Sequence, residues 1–205
     1  MGLESANQLR AFCFELSSDR PSPGGGTASA AAGAMAASLL IMVCGITSRS
    51  KKHESSRSQL EHLKQALETE REGLIKLAEE DAIAYDAVIA AIREEKRGMR
   101  GGSVDLQAAL MHAAEVPLET SAACQRILEH TAIVADIGIR SASSDVGVAV
   151  LLAEAGLGGA AKNVRINLRE ILDKAYADHI EEVLSLRETK TRILVENALS
   201  KLDKP

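Results

Sequence analysis

The clearest periodicity in the chain runs from Glu54 to about Arg97. Leu60, Leu63, Leu67, Leu74, Leu77, Ala84, Val88 and Ala91 recur at alternating spacings of three and four, with Glu70 and Asp81 in the same register. That spacing predicts one long helix whose seam faces partner helices as in a coiled coil. A flanking stripe, Ile75, Ala78, Ala82, Tyr85, Ile89 and Ile92, widens the buried face. From Gly26 to Thr47 the chain carries no charge and is dominated by Ala, Gly and Ser, with Met35, Leu39, Met42, Val43 and Ile46 at helical spacing. Small side chains let neighbouring backbones approach, so this segment is expected to be a central helix surrounded by others. Before it, Ser5 is positioned to cap a short helix with Leu9, Phe12, Cys13 and Leu16 as its apolar stripe.

The second half continues in the same vein. A charged, glycine-containing loop spans Glu94–Gly102, and Ser103 is a candidate cap for the helix after it. Pro117 lies inside that helix, removes one backbone donor and is expected to kink it. A separate helical piece, Ile133, Val134 and Ile137, is expected to close at Gly138 as its C′ residue. The polar loop Ile139–Asp145 leads into a helix over Val146–Ala155, with Gly156, Gly158 and Gly159 as the next turn. A helix carrying Asn163 and Asn167 and a long amphipathic C-terminal helix complete the pattern. The reading is all-α: one domain over residues 1–205, an antiparallel helical bundle with long amphipathic helices around a small-residue central helix.

Composition narrows the function classes. Aromatic residues make up 2% of 205 positions and Trp is absent. The formal net charge of −5 argues against non-specific nucleic-acid binding. Thr27 to Ile46 has the length of a membrane span, yet its Ala, Gly and Ser content makes it only mildly hydrophobic, so no membrane association is expected. Cys13, Cys44 and Cys124 are odd in number and widely spaced, which fits buried reduced thiols in a cytoplasmic protein. The five histidines form no metal-ligand spacing, so no metal site is expected.

Four stretches carry candidate chemistry. Pro21-Ser22-Pro23-Gly24-Gly25-Gly26-Thr27 is a restricted, then Cβ-free turn feeding a helix N-terminus, with Thr27 as the expected N-cap. Such a turn offers free N–H groups to an anion or a polarised carbonyl. Asp81 lies on the apolar seam, where a carboxylate is costly to bury; proton transfer is one reason to keep it. The structural alternative is a polar residue that fixes helix register or pairs with an arginine. Lys51 and Lys52 belong to a basic stretch that is either a solvated junction or a cationic rim. Asp145 is a candidate cap or first-turn acid, and Asn163 and Asn167 share one helix face, suited to a heterocycle or to a neighbouring helix end.

Taken in order, Pro21-Ser-Pro-Gly-Gly-Gly-Thr-Ala-Ser-Ala-Ala, Met42-Val43 with Thr47, Asp81-Ala-x-Ala-Tyr85, Ala114-x-Val-Pro-Leu118, Ser144-Asp145-x-Gly-Val-Ala and Asn163-Val-x-Ile-Asn167-Leu resemble the cyclodeaminase/cyclohydrolase family. This family includes the cyclodeaminase domain of formiminotransferase-cyclodeaminase and stand-alone bacterial methenyltetrahydrofolate cyclohydrolases. The resemblance covers almost the whole chain. It implies a helical homodimer and a tetrahydrofolate substrate bearing a one-carbon unit, with a tail of one or several glutamates. It implies no cofactor beyond that folate. The two implied reactions are cyclisation of 5-formiminotetrahydrofolate to 5,10-methenyltetrahydrofolate with loss of ammonia, and hydrolysis of the methenyl compound to 10-formyltetrahydrofolate. Asp81 matches the family's acid/base. Pro23, Gly24, Gly25 and Gly26 would lie against the pterin or its substituent, Asp145, Asn163 and Asn167 would read the pterin edge, and Lys51 and Lys52 would meet the glutamate tail. Gly138-Ile139-Arg140-Ser141 stands where the family carries a Gly-Asn-x-Asn arrangement. That departure keeps a second reading open: a non-catalytic helical folate-binding or assembly protein on the same scaffold.

Overall fold

The computed structural model describes residues 3–98 and 102–202, and six helices account for nearly all of them: α1 (Leu3–Leu16), α2 (Gly25–Ser48), α3 (Arg57–Lys96), α4 (Gly102–Ile137), α5 (Ser143–Leu168) and α6 (Lys174–Leu202). Among the described residues there is no strand. The long seam is as expected: Leu60, Leu63, Leu67, Leu74, Ala84 and Ala91 are the buried residues of α3. Glu70, in the same register, is matched by Arg126 of α4 through a two-pronged ion pair at 2.7 and 2.9 Å. α4 already begins at Gly102, so Ser103 lies within the helix and is not the residue that precedes it, while the loop residues Met99, Arg100 and Gly101 lie outside the described residues.

α2 is the central helix, packed against α3, α4 and α5. Ala30, Ala34, Ala36, Ala37, Leu40, Val43 and Cys44 are its buried apolar face. The residues of larger volume divide: Met35, Met42 and Ile46 face outward, Met35 being 48% exposed. So α2, although long and apolar enough to cross a bilayer, is half buried inside a bundle and bare on one side.

The glycines of α5 overturn a sequence expectation. Gly156, Gly158 and Gly159 form no turn; α5 is continuous from Ser143 to Leu168. A Cβ on Gly156 would lie 2.8 Å from the Ser29 carbonyl oxygen and 2.9 Å from Cys124 Sγ. One on Gly159 would lie 2.3 Å from Ser29 Oγ. These glycines let α5 cross α2 at backbone contact, a use that a single sequence cannot distinguish from a turn. One further correction concerns α4. It is one helix through Pro117 to Ile137, with no separate final piece. It closes at Gly138 as expected; among the described residues only Gly98, after α3, has positive φ, at 71°.

α1 is weakly attached. Its predicted stripe exists, but Leu9 is 52% exposed and Cys13 is exposed rather than buried. Between α1 and the edges of α2 and α3 runs an apolar groove of about 560 Å³, lined among others by Leu9, Phe12, Pro23, Met35, Ile75 and Ala82. Cys44 and Cys124 are buried as expected, and burial pushes the Cys124 thiol up to about 12.

Candidate functional site

The turn at residues 17–24 stops α1 and starts α2. The prolines at 21 and 23 cannot donate backbone hydrogen bonds, and each restricts the residue before it. α2 then begins at Gly25, with Gly24 as the N-cap and no side chain capping it. Thr27 is therefore not the cap. It lies in the first turn, and its role is different: both its amide and its hydroxyl donate to Asp81 Oδ2, at 2.9 and 3.0 Å. The first amides of a helix lack intrahelical acceptors, so α3 supplies one with the seam carboxylate of Asp81. The amides of Gly25 and Gly26, one step earlier, likewise have no intrahelical acceptor at the positive end of α2.

Asp81 and Gly26 are in direct contact. A Cβ on Gly26 would lie 2.0 Å from Asp81 Oδ1, so glycine is what admits the carboxylate here. Burial raises the Asp81 pKa above the ordinary carboxylate value, opposed in part by the two Thr27 hydrogen bonds, which favour the ionised form. The outcome is a half-buried carboxyl group with one oxygen anchored and the other, Oδ1, without a protein donor among the described residues. That arrangement suits a group that takes up and returns a proton.

Around it lies a cleft of about 270 Å³. Its walls are Pro21, Ser22, Gly24, Gly25 and Gly26 from the turn, Asp81, Ala84, Tyr85 and Val88 from α3, Ala113 from α4, and Asn163, Ile166 and Asn167 from α5. The two asparagines are fixed by acceptors that only an N–H can satisfy. Asn163 Nδ2 donates to the Gly159 carbonyl at 2.9 Å, and Asn167 Nδ2 donates to the Ala113 carbonyl at 2.7 Å. Polar groups thus come from three directions onto a partly apolar cleft, as in small-molecule sites.

Of the residues singled out in sequence, Asp81, Gly24, Gly25, Gly26, Asn163 and Asn167 are brought together here. Pro23 turns away and lines the groove beside α1 instead. Asp145 lies in the first turn of α5, eighteen residues before Asn163, or about 27 Å along the helix at 1.5 Å per residue. Lys51 and Lys52 follow the far end of α2, whose 24 residues span about 36 Å, in a 3-10 turn over Lys51–Ser56. Rigid helices therefore keep Asp145, Lys51 and Lys52 out of this cleft within one chain. The sequence reading missed Thr27 as the partner of Asp81: 54 residues separate them, and a threonine after glycines reads locally as a cap.

The family model described as formiminotransferase-cyclodeaminase matches residues 8–185. A methenyltetrahydrofolate cyclohydrolase from Methylorubrum extorquens is 37% identical over 175 residues, covering 83% of each chain. The rat formimidoyltransferase-cyclodeaminase is 31% identical over 191 residues, 90% of this chain, although the chain spans only 35% of that longer protein. Among solved structures, formiminotetrahydrofolate cyclodeaminase from Thermotoga maritima superimposes with a TM-score of 0.87 at 28% identity, over 99% of this chain and 96% of the other.

Proposed function

The chain belongs to the formiminotransferase-cyclodeaminase family, and from that premise we propose that it is a tetrahydrofolate one-carbon enzyme with Asp81 as its acid/base. The observation that carries the role of Asp81 is its anchored, burial-raised carboxyl group at the N-terminus of α2, facing a cleft of ligand size. In the hydrolytic direction, Asp81 takes a proton from water as its oxygen bonds to the methenyl carbon. It then returns that proton to N5 as the C–N5 bond breaks, and the second hydroxyl proton leaves to solvent as the formyl carbonyl forms. In the cyclising direction, N10 attacks the formimino carbon and gives up its proton. The departing nitrogen gains that proton and two from solvent, leaving as ammonium. Both routes pass through a tetrahedral carbon, and besides the folate, water and ammonium they call only for proton transfers. The Gly25 and Gly26 amides would face the electron-rich side of the one-carbon unit.

The test is the methenyl chromophore. Purified protein is offered 5,10-methenyltetrahydrofolate and, separately, 5-formiminotetrahydrofolate. Loss of absorbance from the first is the hydrolase outcome, and its appearance from the second is the cyclodeaminase outcome. No signal from either, with the protein folded, would leave the non-catalytic folate-binding reading. Gly26→Ala is a companion prediction: an extra methyl 2.0 Å from Asp81 Oδ1 must displace that side chain. Its activity is expected to fall towards that of an Asp81 variant while circular dichroism stays unchanged; wild-type turnover would show that Oδ1 need not be where it is.

We further propose that the protein is a cytoplasmic homodimer whose contact includes the bare side of α2. Met35, Met42 and Ile46 are exposed on that side, continuous with the apolar groove at Leu9 and Ile75. Light scattering is expected to give a dimeric mass, with Met35→Glu shifting it towards monomer. A wild-type monomer at micromolar concentration would sink this assignment.

A further inference from the structure

Pro117 leaves a specific vacancy in α4. In an uninterrupted helix the amide of residue 117 would donate to the carbonyl of residue 113, and proline has no amide hydrogen. Ala113 is buried, so its carbonyl cannot turn to water without cost. The donor that reaches it is Asn167 Nδ2 of α5, at 2.7 Å. Ala113 and Asn167 both line the cleft, across from the Gly25–Gly26 turn and Asp81. A side-chain amide on one helix thus replaces the backbone amide missing from another, at the wall of the site.

We propose that Asn167 is a positioning residue, which substitutes for the absent Pro117 donor and so fixes the α4 wall of the cleft relative to α5. This rests on the folate-enzyme reading for its catalytic consequence, but not for its structural one. It also explains why the two residues belong together: Pro117 without Asn167 leaves the carbonyl of buried Ala113 unpaired. Asn163 has no such duty, because its Nδ2 bonds within its own helix, to Gly159. The two asparagines therefore differ in role despite sharing one helix face.

The experiment is a double-mutant cycle between Asn167→Ala and Pro117→Ala, read by denaturant unfolding and by kinetics. Alone, Asn167→Ala leaves the Ala113 carbonyl unpaired and is expected to raise the unfolding equilibrium constant by about 5- to 150-fold. In the Pro117→Ala background, residue 117 supplies its own amide, and the same substitution is expected to cost no more than about threefold. Asn167→Asp, which keeps the shape and loses the donor, is expected to follow Asn167→Ala. In turnover, Asn167→Ala is expected to raise KM by about tenfold with kcat changed much less, and Pro117→Ala is expected to restore KM. Equal stability costs in both backgrounds would overturn the proposal. Stability rescued without KM would make Asn167 a direct substrate ligand and overturn its positioning role. If the wild-type protein turns over neither folate, the folate reading fails separately, and the stability cycle alone decides whether Asn167 serves Pro117.

Discussion

Asp81→Asn is expected to lower turnover on either folate by ~10²–10⁴-fold, the usual worth of a placed general acid/base, and to leave the protein at least as stable as wild type near neutral pH. The asparagine carbonyl can still accept from the Thr27 amide and hydroxyl, so the anchoring of α3 to α2 survives. What disappears is an ionisable group whose charged form is disfavoured by burial. The sign follows from proton binding. With the folded-state pKa raised above the unfolded one, the folded protein binds more protons between the two values. The stabilising contribution of Asp81 is complete below the ordinary carboxylate range and is lost as pH rises through the raised pKa. Asp81→Asn should therefore gain on wild type as pH rises through that window. Unfolding midpoints at a series of pH values, beside rates from the methenyl assay, check both parts. A variant that turns over at the wild-type rate would remove Asp81 from the chemistry, and one that is progressively less stable than wild type with rising pH would contradict the burial argument.

Gly156→Ala is expected to cost about 1–3 kcal/mol of stability, a drop of roughly 3–10 °C in Tm. The direction is not obvious, since Gly to Ala within a helix ordinarily gains about 0.5–1 kcal/mol. Packing decides it. The added methyl would lie 2.8 Å from the Ser29 carbonyl oxygen, 2.9 Å from Cys124 Sγ and 3.2 Å from the Gly33 amide. Two of those three are backbone atoms that no rotamer change can move. Gly158→Ala, two residues on, is the control: a Cβ there meets nothing within 4 Å, so helix propensity alone should operate and raise the Tm slightly. Scanning calorimetry of the two variants compares them directly. A stable Gly156→Ala would mean that α2 and α5 can separate at little cost.

The fold was legible where spacing alone determines burial. The leucines of α3 could face only a partner, and the run of small residues in α2 could serve only close packing. Glycine was the weak point, because the same residue marks a turn and a helix crossing, and only the opposite helix distinguishes them. Ser29 and Cys124, distant in sequence, are what make Gly156 a contact residue. The site was half legible. Asp81 stood out as a carboxylate on an apolar seam, and the glycines and asparagines flanking the cleft stood out by motif. Its anchor, Thr27, did not, since long-range hydrogen bonds leave no local pattern. Lys51, Lys52 and Asp145 were grouped with the site by chemistry, and the lengths of α2 and α5 separate them from it.

The first turn of α2 belongs at once to the cleft and to the most enclosed helix of the bundle, with Gly26 and Thr27 both buried. Proteins usually draw their binding loops from the segments that open most readily. Here the amide that anchors the carboxyl group is buried in the first turn of the central helix, and slow exchange of its hydrogen with solvent is the expected result. On that side the wall around Asp81 is built from the core of the bundle, and a ligand meets a shape set in advance.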